Sequence, residues 1–305
     1  MRILIVGAGS TGGFFGARLA QAGRDVTFLV RPGRAAALRA HGLQIISPHG
    51  DFSIRPTLLC AEQLDQPFDL IILTVKAYAL EQALEDIAPA VGPDTVILPV
   101  LNGFRHIDRI AARFGQHTVI GGVCKIIGSL DAQGRIVQGA KINEVFYGEL
   151  DGRRSERLQR IDAALSNAGF TTRWSENITQ DLWDKWLMLA SLGCINSLMR
   201  GTVGEVASTE AGLTFANALI DEIARVAQAS GHGPSQAYLD QTRSALTLKD
   251  SPQTSSMYRD LQAGQPIEAE QIVGDLLLRA QQANLSTPLL AAVNAHLSVY
   301  QQRLR

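Results

Sequence analysis

Three glycines near the start of the chain have the spacing of a dinucleotide-binding loop. Gly7, Gly9 and Gly12 form the pattern G-x-G-x-x-G directly after an apolar run and before a helical pattern. The first glycine of such a loop permits a tight turn, the second lets the backbone approach a pyrophosphate, and the third lets the helix pack closely on the strand. N–H groups at the helix N-terminus then favour the anion. We therefore predict a cofactor-binding loop made of Gly7, Ala8, Gly9, Ser10, Thr11 and Gly12.

The end of the second predicted strand indicates which dinucleotide binds. NAD-binding loops are followed, about 20 residues on, by an acidic residue that holds the ribose 2′-hydroxyl. Here Arg31 and Arg34 occupy that position, and Asp25 lies at the start of the strand instead. An arginine can pair with a 2′-phosphate, whereas a carboxylate would repel it. We predict NADPH, with Arg31 as a cofactor-binding residue; two solvated surface arginines are the alternative interpretation.

The elements that must hold these residues follow from hydrophobic periodicity. In the first half, helical patterns alternate with short apolar runs over residues 2–7, 25–30, 69–75 and 95–100. Strands that are apolar on both faces and separated by helices predict a parallel sheet covered on both sides. Residues 42–54 surround a Pro-His-Gly-Asp turn signal, which predicts an inserted hairpin. A further two-stranded region is expected over residues 121–138 and 142–150.

The second half has a different period. After about Thr172 the strand pattern ends, and five segments follow a 3.6-residue repeat. The stretch around residues 182–199 is apolar nearly all round, which is typical of a helix buried in a bundle. The sequence therefore predicts an α/β Rossmann-type dinucleotide-binding domain over residues 1–172, followed by an all-α helical domain over residues 173–305.

Composition excludes several classes of protein. The net charge of −1 offers no electrostatic footprint for nucleic acid or for an anionic membrane surface. No apolar stretch approaches the length of about 18 residues that spans a bilayer, and the N-terminus enters a strand directly. Three cysteines and six scattered histidines lack metal-ligand spacing. We expect a cytoplasmic protein with buried thiols and with no nucleic-acid, membrane or metal partner.

Several segments, taken together in their order, resemble the ketopantoate reductase (2-dehydropantoate 2-reductase) family essentially end to end. They are "GAGSTG", "LTVKAY", "LNG", "LWDKW" and "SSMYRDLQAGQPIEAE". No single segment is decisive, but their order and spacing are specific. The resemblance implies NADPH-dependent reduction of a 2-keto acid, as in the conversion of ketopantoate to pantoate in pantothenate biosynthesis.

The resemblance also implies residue roles. Lys185 is the proton donor to the ketone oxygen and contacts the substrate, and Asn102 positions nicotinamide and substrate. Lys76 lies close to the cofactor at the end of its strand, and Ser256 binds the substrate carboxylate. Glu268 lies near the ribose or the reacting hydroxyl. By this pattern Lys185, Asn102 and Glu268 are catalytic, and Lys76, Asn102 and Glu268 contact the cofactor.

Elementary chemistry supports these roles independently. Open parallel sheets bind ligands at the carboxyl ends of their strands, where Lys76 and Asn102 fall. Hydride addition to a ketone develops negative charge on oxygen, so a cationic acid such as Lys185 suits the reaction. Apolar neighbours would desolvate this lysine and lower its pKa. Structural alternatives remain for each residue: a snorkelling lysine, a helix-capping Ser256, a solvated Glu268 and an Asn102 that only supplies a turn.

Three positions depart from the family pattern. Where the family carries asparagines, this chain has Leu189, Gly193 and Val203. Positions four and eight after Lys185 lie on its face of the helix, so we expect Leu189 and Gly193 to line the substrate pocket. Val203 is expected there from the family pattern, and together the three residues would make the pocket more apolar. Gly193 would leave space, and Asn196 could partly replace the lost amides. The expected substrate is then a 2-keto acid with a larger apolar side chain.

Two other functions fit the same residues. A β-hydroxyacid or opine-type dehydrogenase would use the same two-domain plan with a different acid or an imine. A non-catalytic NADPH-binding sensor would need the glycine loop but not the polar residues grouped by the resemblance. The predicted reaction site lies between the two domains. The helical domain is also the expected surface of a homodimer, if one forms.

Overall fold

The computed structural model describes residues 1–304, which divide into two compact units. The first unit contains residues 1–101 and 106–178. The second contains Asn102–Arg105 together with the chain from Thr179 onward. The predicted boundary after residue 172 therefore falls six residues early, inside a strand of the first unit.

Ten strands belong to the first unit. They are β1 (Arg2–Val6), β2 (Asp25–Leu29), β3 (Leu43–Ile46), β4 (Phe52–Ile54), β5 (Thr57–Leu59), β6 (Leu70–Leu73), β7 (Val96–Pro99), β8 (Gly121–Leu130), β9 (Ile136–Gly148) and β10 (Thr171–Trp174). The helices of this half of the chain are α1 (Ser10–Gln21), α2 (Pro32–His41), α3 (Leu80–Ile87), α4 (Arg105–Phe114) and α5 (Glu156–Leu165).

A five-stranded parallel sheet has the order β5-β2-β1-β6-β7. This is the strand order of a Rossmann fold, in which β1 lies at the centre and the order reverses beside it. Every residue of β6 and β7 is buried, as expected for strands covered on both faces. Beyond β7, Val119 pairs with Ile97 in a parallel bridge and extends the sheet at that edge. The prediction of an α/β Rossmann-type unit is confirmed.

A second sheet gathers the regions predicted as separate hairpins. β3 and β4 pair antiparallel, as do β8 and β9. β3 also pairs parallel with β9 through Ile45 and Ile136, so the two hairpins form one sheet, with β10 beside β9. The sequence did not predict β5 or β10, because each is a short strand without a long apolar run.

The second unit is helical, which confirms the predicted change of fold. Its helices are α6 (Ile178–Met199), α7 (Val203–Ala207), α8 (Glu210–Ala229), α9 (Gln236–Leu246), α10 (Ser256–Gln262), α11 (Asp275–Gln282) and α12 (Pro288–Arg303). A π-helical turn over Glu270–Gly274 leads into α11. Trp186, Cys194 and Ile195 of α6 are buried in the core of this unit. None of the helices within residues 1–304 combines the length and the apolar character that crossing a membrane requires.

Polar side chains fix where several of these helices begin. Thr202 and Glu205 form a capping box at α7. The buried carboxylate of Glu222 on α8 accepts hydrogen bonds from the backbone N–H groups of Leu289 and Leu290, at 3.2 and 2.9 Å. Because the first N–H groups of a helix have no intrahelical partner, Glu222 acts as a cap for α12 supplied from another helix.

Candidate active site

The glycine loop joins β1 to α1 in the first unit. Gly7 has a φ of +97°, a conformation that favours glycine. A Cβ on Gly9 would meet no atom within 4 Å, and no side chain caps α1 at this residue. A Cβ on Gly12 would lie 2.1 Å from Thr74 Oγ1 and 2.3 Å from the Gly7 carbonyl oxygen. These three environments match the three roles of the motif: a turn, an open approach, and close helix–strand packing.

Thr74, directly after β6, holds this loop by a hydrogen bond, a role that the sequence did not predict. Its hydroxyl lies 2.8 Å from the Val6 carbonyl oxygen and 3.2 Å from that of Gly7, and can donate to either. The side chain also fills the space that the missing Cβ of Gly12 leaves. A small hydroxylated residue two positions before Lys76, within the "LTVK" segment, is the only signal that the sequence offered.

The two arginines after β2 have different surroundings. Arg31 is exposed and precedes the first residue of α2. Arg34 donates from Nε to the Ala8 carbonyl and from Nη1 to the Gly134 carbonyl, at 3.3 and 3.1 Å. Burial lowers the pKa of Arg34, and its buried Nη2 atom has no hydrogen-bond partner. Arg34 therefore braces the glycine loop against the β8–β9 turn, while Arg31 faces solvent.

Lys76 is half-buried and lies two residues beyond Thr74, where a 3₁₀ turn over Ala77–Ala79 begins. Its position near the carboxyl end of β6 is the one that the sequence predicted. The glycine loop, its hydrogen bond with Thr74 and its hydrogen bond with Arg34 all belong to the first unit.

Asn102 and Glu268 meet within the second unit. The Asn102 amide nitrogen lies 3.5 Å from Glu268 Oε2, although the two residues are 166 positions apart. Glu268 is only 6% exposed, and Asn102 is half-buried. The solvated-charge alternative for Glu268 is therefore wrong. It applies to Glu270, which is exposed and pairs with Arg105 at 3.2 Å.

Lys185 lies half-buried on α6 between two buried tryptophans, Trp183 and Trp186. The two indole rings lie 4.9 Å apart between centroids, and the Arg279 guanidinium lies within 5.5 Å of both. The Trp186 indole N–H donates to the Ile272 carbonyl at 2.9 Å. The helix segment that carries Lys185 is therefore anchored on both sides of the lysine.

Ser256 is exposed at the first residue of α10, and its neighbour Ser255 is the cap. The Ser255 hydroxyl accepts a hydrogen bond from Tyr258 N at 3.0 Å. Asn196 holds this segment from α6: its Oδ1 accepts from Ser255 N at 2.8 Å, and its Nδ2 donates to the Gly201 carbonyl at 2.8 Å. Capping therefore does not explain Ser256. The Asn196 amide holds backbone and does not replace a lost substrate contact.

Two of the three residues expected to make the pocket apolar are placed differently. Leu189 is half-buried, four residues after Lys185. A Cβ on Gly193 would lie 2.8 Å from Met257 Cε, so the space that glycine was expected to leave is already filled. Val203 is fully buried among the helices of the second unit. That Gly193 and Val203 line the substrate pocket stays a prediction.

Comparison with known proteins identifies the family of this chain. The model of "Ketopantoate reductase PanE/ApbA" matches residues 3–152, and that of "Ketopantoate reductase PanE/ApbA C terminal" matches residues 177–301. The chain belongs to the ketopantoate reductase family. Its two matched segments follow the division between the α/β unit and the helical unit.

Relatives within and around this family are similar over nearly their whole length. An uncharacterized oxidoreductase of Bacillus subtilis, YkpB, is 37% identical over 99% of both chains. The 2-dehydropantoate 2-reductase of Streptococcus pyogenes serotype M1 is 26% identical over 94% of both. The crystal structure of 2-dehydropantoate 2-reductase from Methylococcus capsulatus superposes with a TM-score of 0.87 at 30% identity, covering 100% of this chain and 98% of that one. The family is thus one of oxidoreductases.

Proposed function

We propose that this chain is an NADPH-dependent reductase of a 2-keto acid. The pairing of Asn102 with the buried carboxylate of Glu268 carries the proposal. The two residues come from separate motifs, and a buried carboxylate is costly unless it is paired or used. The resemblance gives both residues roles near cofactor and substrate, and their contact supports one shared site for the two; a sensor that only binds cofactor has no use for such a pair.

The first unit fits a dinucleotide. The N-terminus of α1 has no side-chain cap, and the open side of Gly9 gives a pyrophosphate access to the backbone. No acidic side chain follows β2 where an NAD-binding protein carries one, and Arg31 is exposed there. These observations support NADPH over NADH, with Arg31 as the partner of the 2′-phosphate.

The residues of the second unit supply the remaining chemistry. When bound, NADPH would supply a hydride to the ketone carbon of the 2-keto acid. Lys185 donates a proton to the carbonyl oxygen as negative charge develops there. The Asn102 amide orients the reacting groups, Glu268 holds that amide, and the Ser256 hydroxyl binds the substrate carboxylate.

The substrate we propose has an apolar side chain. Because Met257 fills the space beside Gly193 and Val203 is buried, we base this preference chiefly on Leu189. Asn196 uses both ends of its amide on the backbone, so it offers no compensating polar contact. Each methylene buried against Leu189 would contribute about 0.8 kcal/mol, while an unpaired hydroxyl would be penalised.

The first test is NADPH oxidation with a panel of 2-keto acids that includes ketopantoate and apolar analogues of similar bulk. We expect turnover with at least one acid, and NADPH bound at least about tenfold more tightly than NADH. Arg31→Ala should weaken NADPH binding much more than NADH binding. Arg39→Ala, which removes an exposed arginine within α2, should leave both affinities unchanged. Binding without turnover on any acid would favour a sensor, and equal affinities would remove Arg31 from cofactor choice.

The second test addresses the side chain of the acid. Leu189→Asn should shift the ratio of kcat/KM values toward ketopantoate. Leu198→Asn is the control, because position 198 is thirteen residues after Lys185 and on the opposite face of α6. If the wild type prefers ketopantoate and Leu189→Asn leaves the ratio unchanged, Leu189 does not contact the substrate.

A further inference from the structure

One side chain outside the recognised motifs holds the backbone of Asn102. Gln271 lies in the π-helical turn and is 6% exposed. Its Nε2 donates to the Asn102 carbonyl oxygen at 3.1 Å, across 169 positions of the sequence. The bond fixes the main chain of Asn102, while the Asn102 side chain reaches Glu268 at 3.5 Å. One short segment, residues 268–271, therefore contacts both the backbone carbonyl and the side-chain amide of Asn102.

The backbone of the same segment also touches the next residue. Gly103 has a φ of +78°, and a Cβ there would lie 2.7 Å from the Gln271 carbonyl oxygen. The turn at Asn102–Gly103 can approach the π-helical turn this closely only because residue 103 has no side chain. Gly103 thus serves the contact with Gln271 as well as the turn.

The π-helical turn is also hydrogen-bonded to the helix that carries Lys185. Ile272, the neighbour of Gln271, accepts the indole N–H of Trp186 at 2.9 Å, and Trp186 is the neighbour of Lys185. Such turns break the regular ladder of helix hydrogen bonds and are frequent at functional sites. Two hydrogen bonds from adjacent residues of one turn therefore link the backbone of Asn102 to the lysine-bearing helix.

We propose that Gln271 is a positioning residue for the reduction, holding Asn102 at a fixed place relative to Glu268 and to the Lys185 helix. The inference rests on the proposed function, since it concerns the alignment of the groups named there. Gln271 contacts neither cofactor nor substrate in this proposal. Its loss should therefore slow the chemical step while cofactor affinity is retained, because a displacement of about 1 Å can cost roughly 100-fold in rate.

The test variant is Gln271→Met, which keeps the length of the side chain and removes the amide. Its control is Gln138→Met, since Gln138 is 5% exposed in the first unit and donates to the Ile142 carbonyl at 3.2 Å. Hydrogen exchange of the segment over residues 101–105, measured without cofactor, should rise in Gln271→Met and not in the control. With NADPH and the best acid, kcat should fall roughly 10- to 100-fold while KM for NADPH stays within about twofold.

The deuterium isotope effect on kcat with 4-deuterated NADPH separates positioning from general damage. It should rise in Gln271→Met as hydride transfer becomes rate-limiting, and stay at the wild-type value in Gln138→Met. Gly103→Ala should produce the same split between kcat and KM, because its Cβ would lie 2.7 Å from the Gln271 carbonyl oxygen and its φ of +78° strains alanine, so that the Asn102–Gly103 turn is displaced.

If hydrogen exchange of residues 101–105 were unchanged in Gln271→Met, the proposal that Gln271 holds Asn102 in place would be overturned. Raised exchange with unaltered kcat and isotope effect would overturn the positioning role. If the wild type reduced no acid in the panel, the proposed function and the positioning role would both fall. The exchange measurement would then still decide whether Gln271 holds the turn.

Discussion

Alanine substitutions at Gly9 and Gly12 should separate cofactor binding from folding, although the two residues are only three positions apart. A methyl group on Gly9 enters open space at a φ of −81°, which alanine adopts without strain. A methyl group on Gly12 collides with the Thr74 hydroxyl and with the Gly7 carbonyl oxygen. The first variant changes the surface offered to a ligand, and the second changes the packing of helix on strand.

The expected magnitudes follow from these contacts. In Gly12→Ala, overpacking costs about 1–3 kcal/mol, and displacement of the Thr74 hydroxyl adds about 1 kcal/mol in lost hydrogen bonding. A total of about 3 kcal/mol corresponds to a Tm lower by roughly 6–12 °C for a unit of this size. In Gly9→Ala, reduced entropy of the unfolded chain stabilises by about 0.4–1 kcal/mol, so Tm should stay or rise slightly.

Cofactor affinity should follow the opposite order. The Gly9→Ala methyl group occupies the approach of the pyrophosphate, so the Kd for NADPH should rise at least about tenfold, or 1.4 kcal/mol. The assays are thermal unfolding without cofactor and NADPH titration at a temperature where both variants are folded. Wild-type affinity in Gly9→Ala would refute the role of this loop in binding. A wild-type Tm in Gly12→Ala would refute the packing argument.

Three further outcomes are expected. Lys185→Ala should lower kcat by roughly 10²–10⁴-fold with NADPH affinity nearly unchanged, and near-normal turnover would remove this lysine from the mechanism. Burial raises the pKa of Cys194 to about 12, so this thiol stays protonated at neutral pH; a thiolate-specific reagent should label the partly exposed Cys60 in the native protein and Cys194 only after unfolding. Glu222→Ala removes both acceptors at the start of α12 and should destabilise by about 1–3 kcal/mol in denaturant titration, whereas an exposed glutamate such as Glu62 should tolerate alanine.

Local signals predicted the first unit well because its chemistry is local. The glycine loop needs only a strand, six residues and a helix, all contiguous in the sequence. The contact of Asn102 with Glu268 spans 166 positions; the family resemblance gave each residue a role near the cofactor but did not predict their contact. Gln271 and Thr74 carry no comparable signal. Each side chain hydrogen-bonds a backbone carbonyl far away in the sequence, and such a contact produces no periodic pattern that the sequence could reveal.

Helical periodicity did not predict the surroundings of Gly193, and Val203 was expected in the pocket only from the family pattern. Spacing from Lys185 gives the direction of a side chain around α6, but it does not say which neighbouring helix occupies that side. Met257 of α10 fills the position beside Gly193, and Val203 begins a separate helix, α7, where the α6 register no longer applies. Periodicity therefore gives the direction of Leu189 and Gly193 relative to Lys185, but it does not predict what packs against them.

Ser255 and Ser256 are adjacent, and the structure shows which of the two caps α10. From the sequence, Ser256 had two equal interpretations, as a helix cap and as a substrate ligand. The cap is Ser255, whose backbone N–H is held by Asn196 and whose hydroxyl accepts from Tyr258. A hydroxyl that already caps a helix is committed to backbone, and Ser255 is buried. Ser256 is exposed and is not the cap, and the carboxylate-binding role that the family resemblance implies for it stays a prediction.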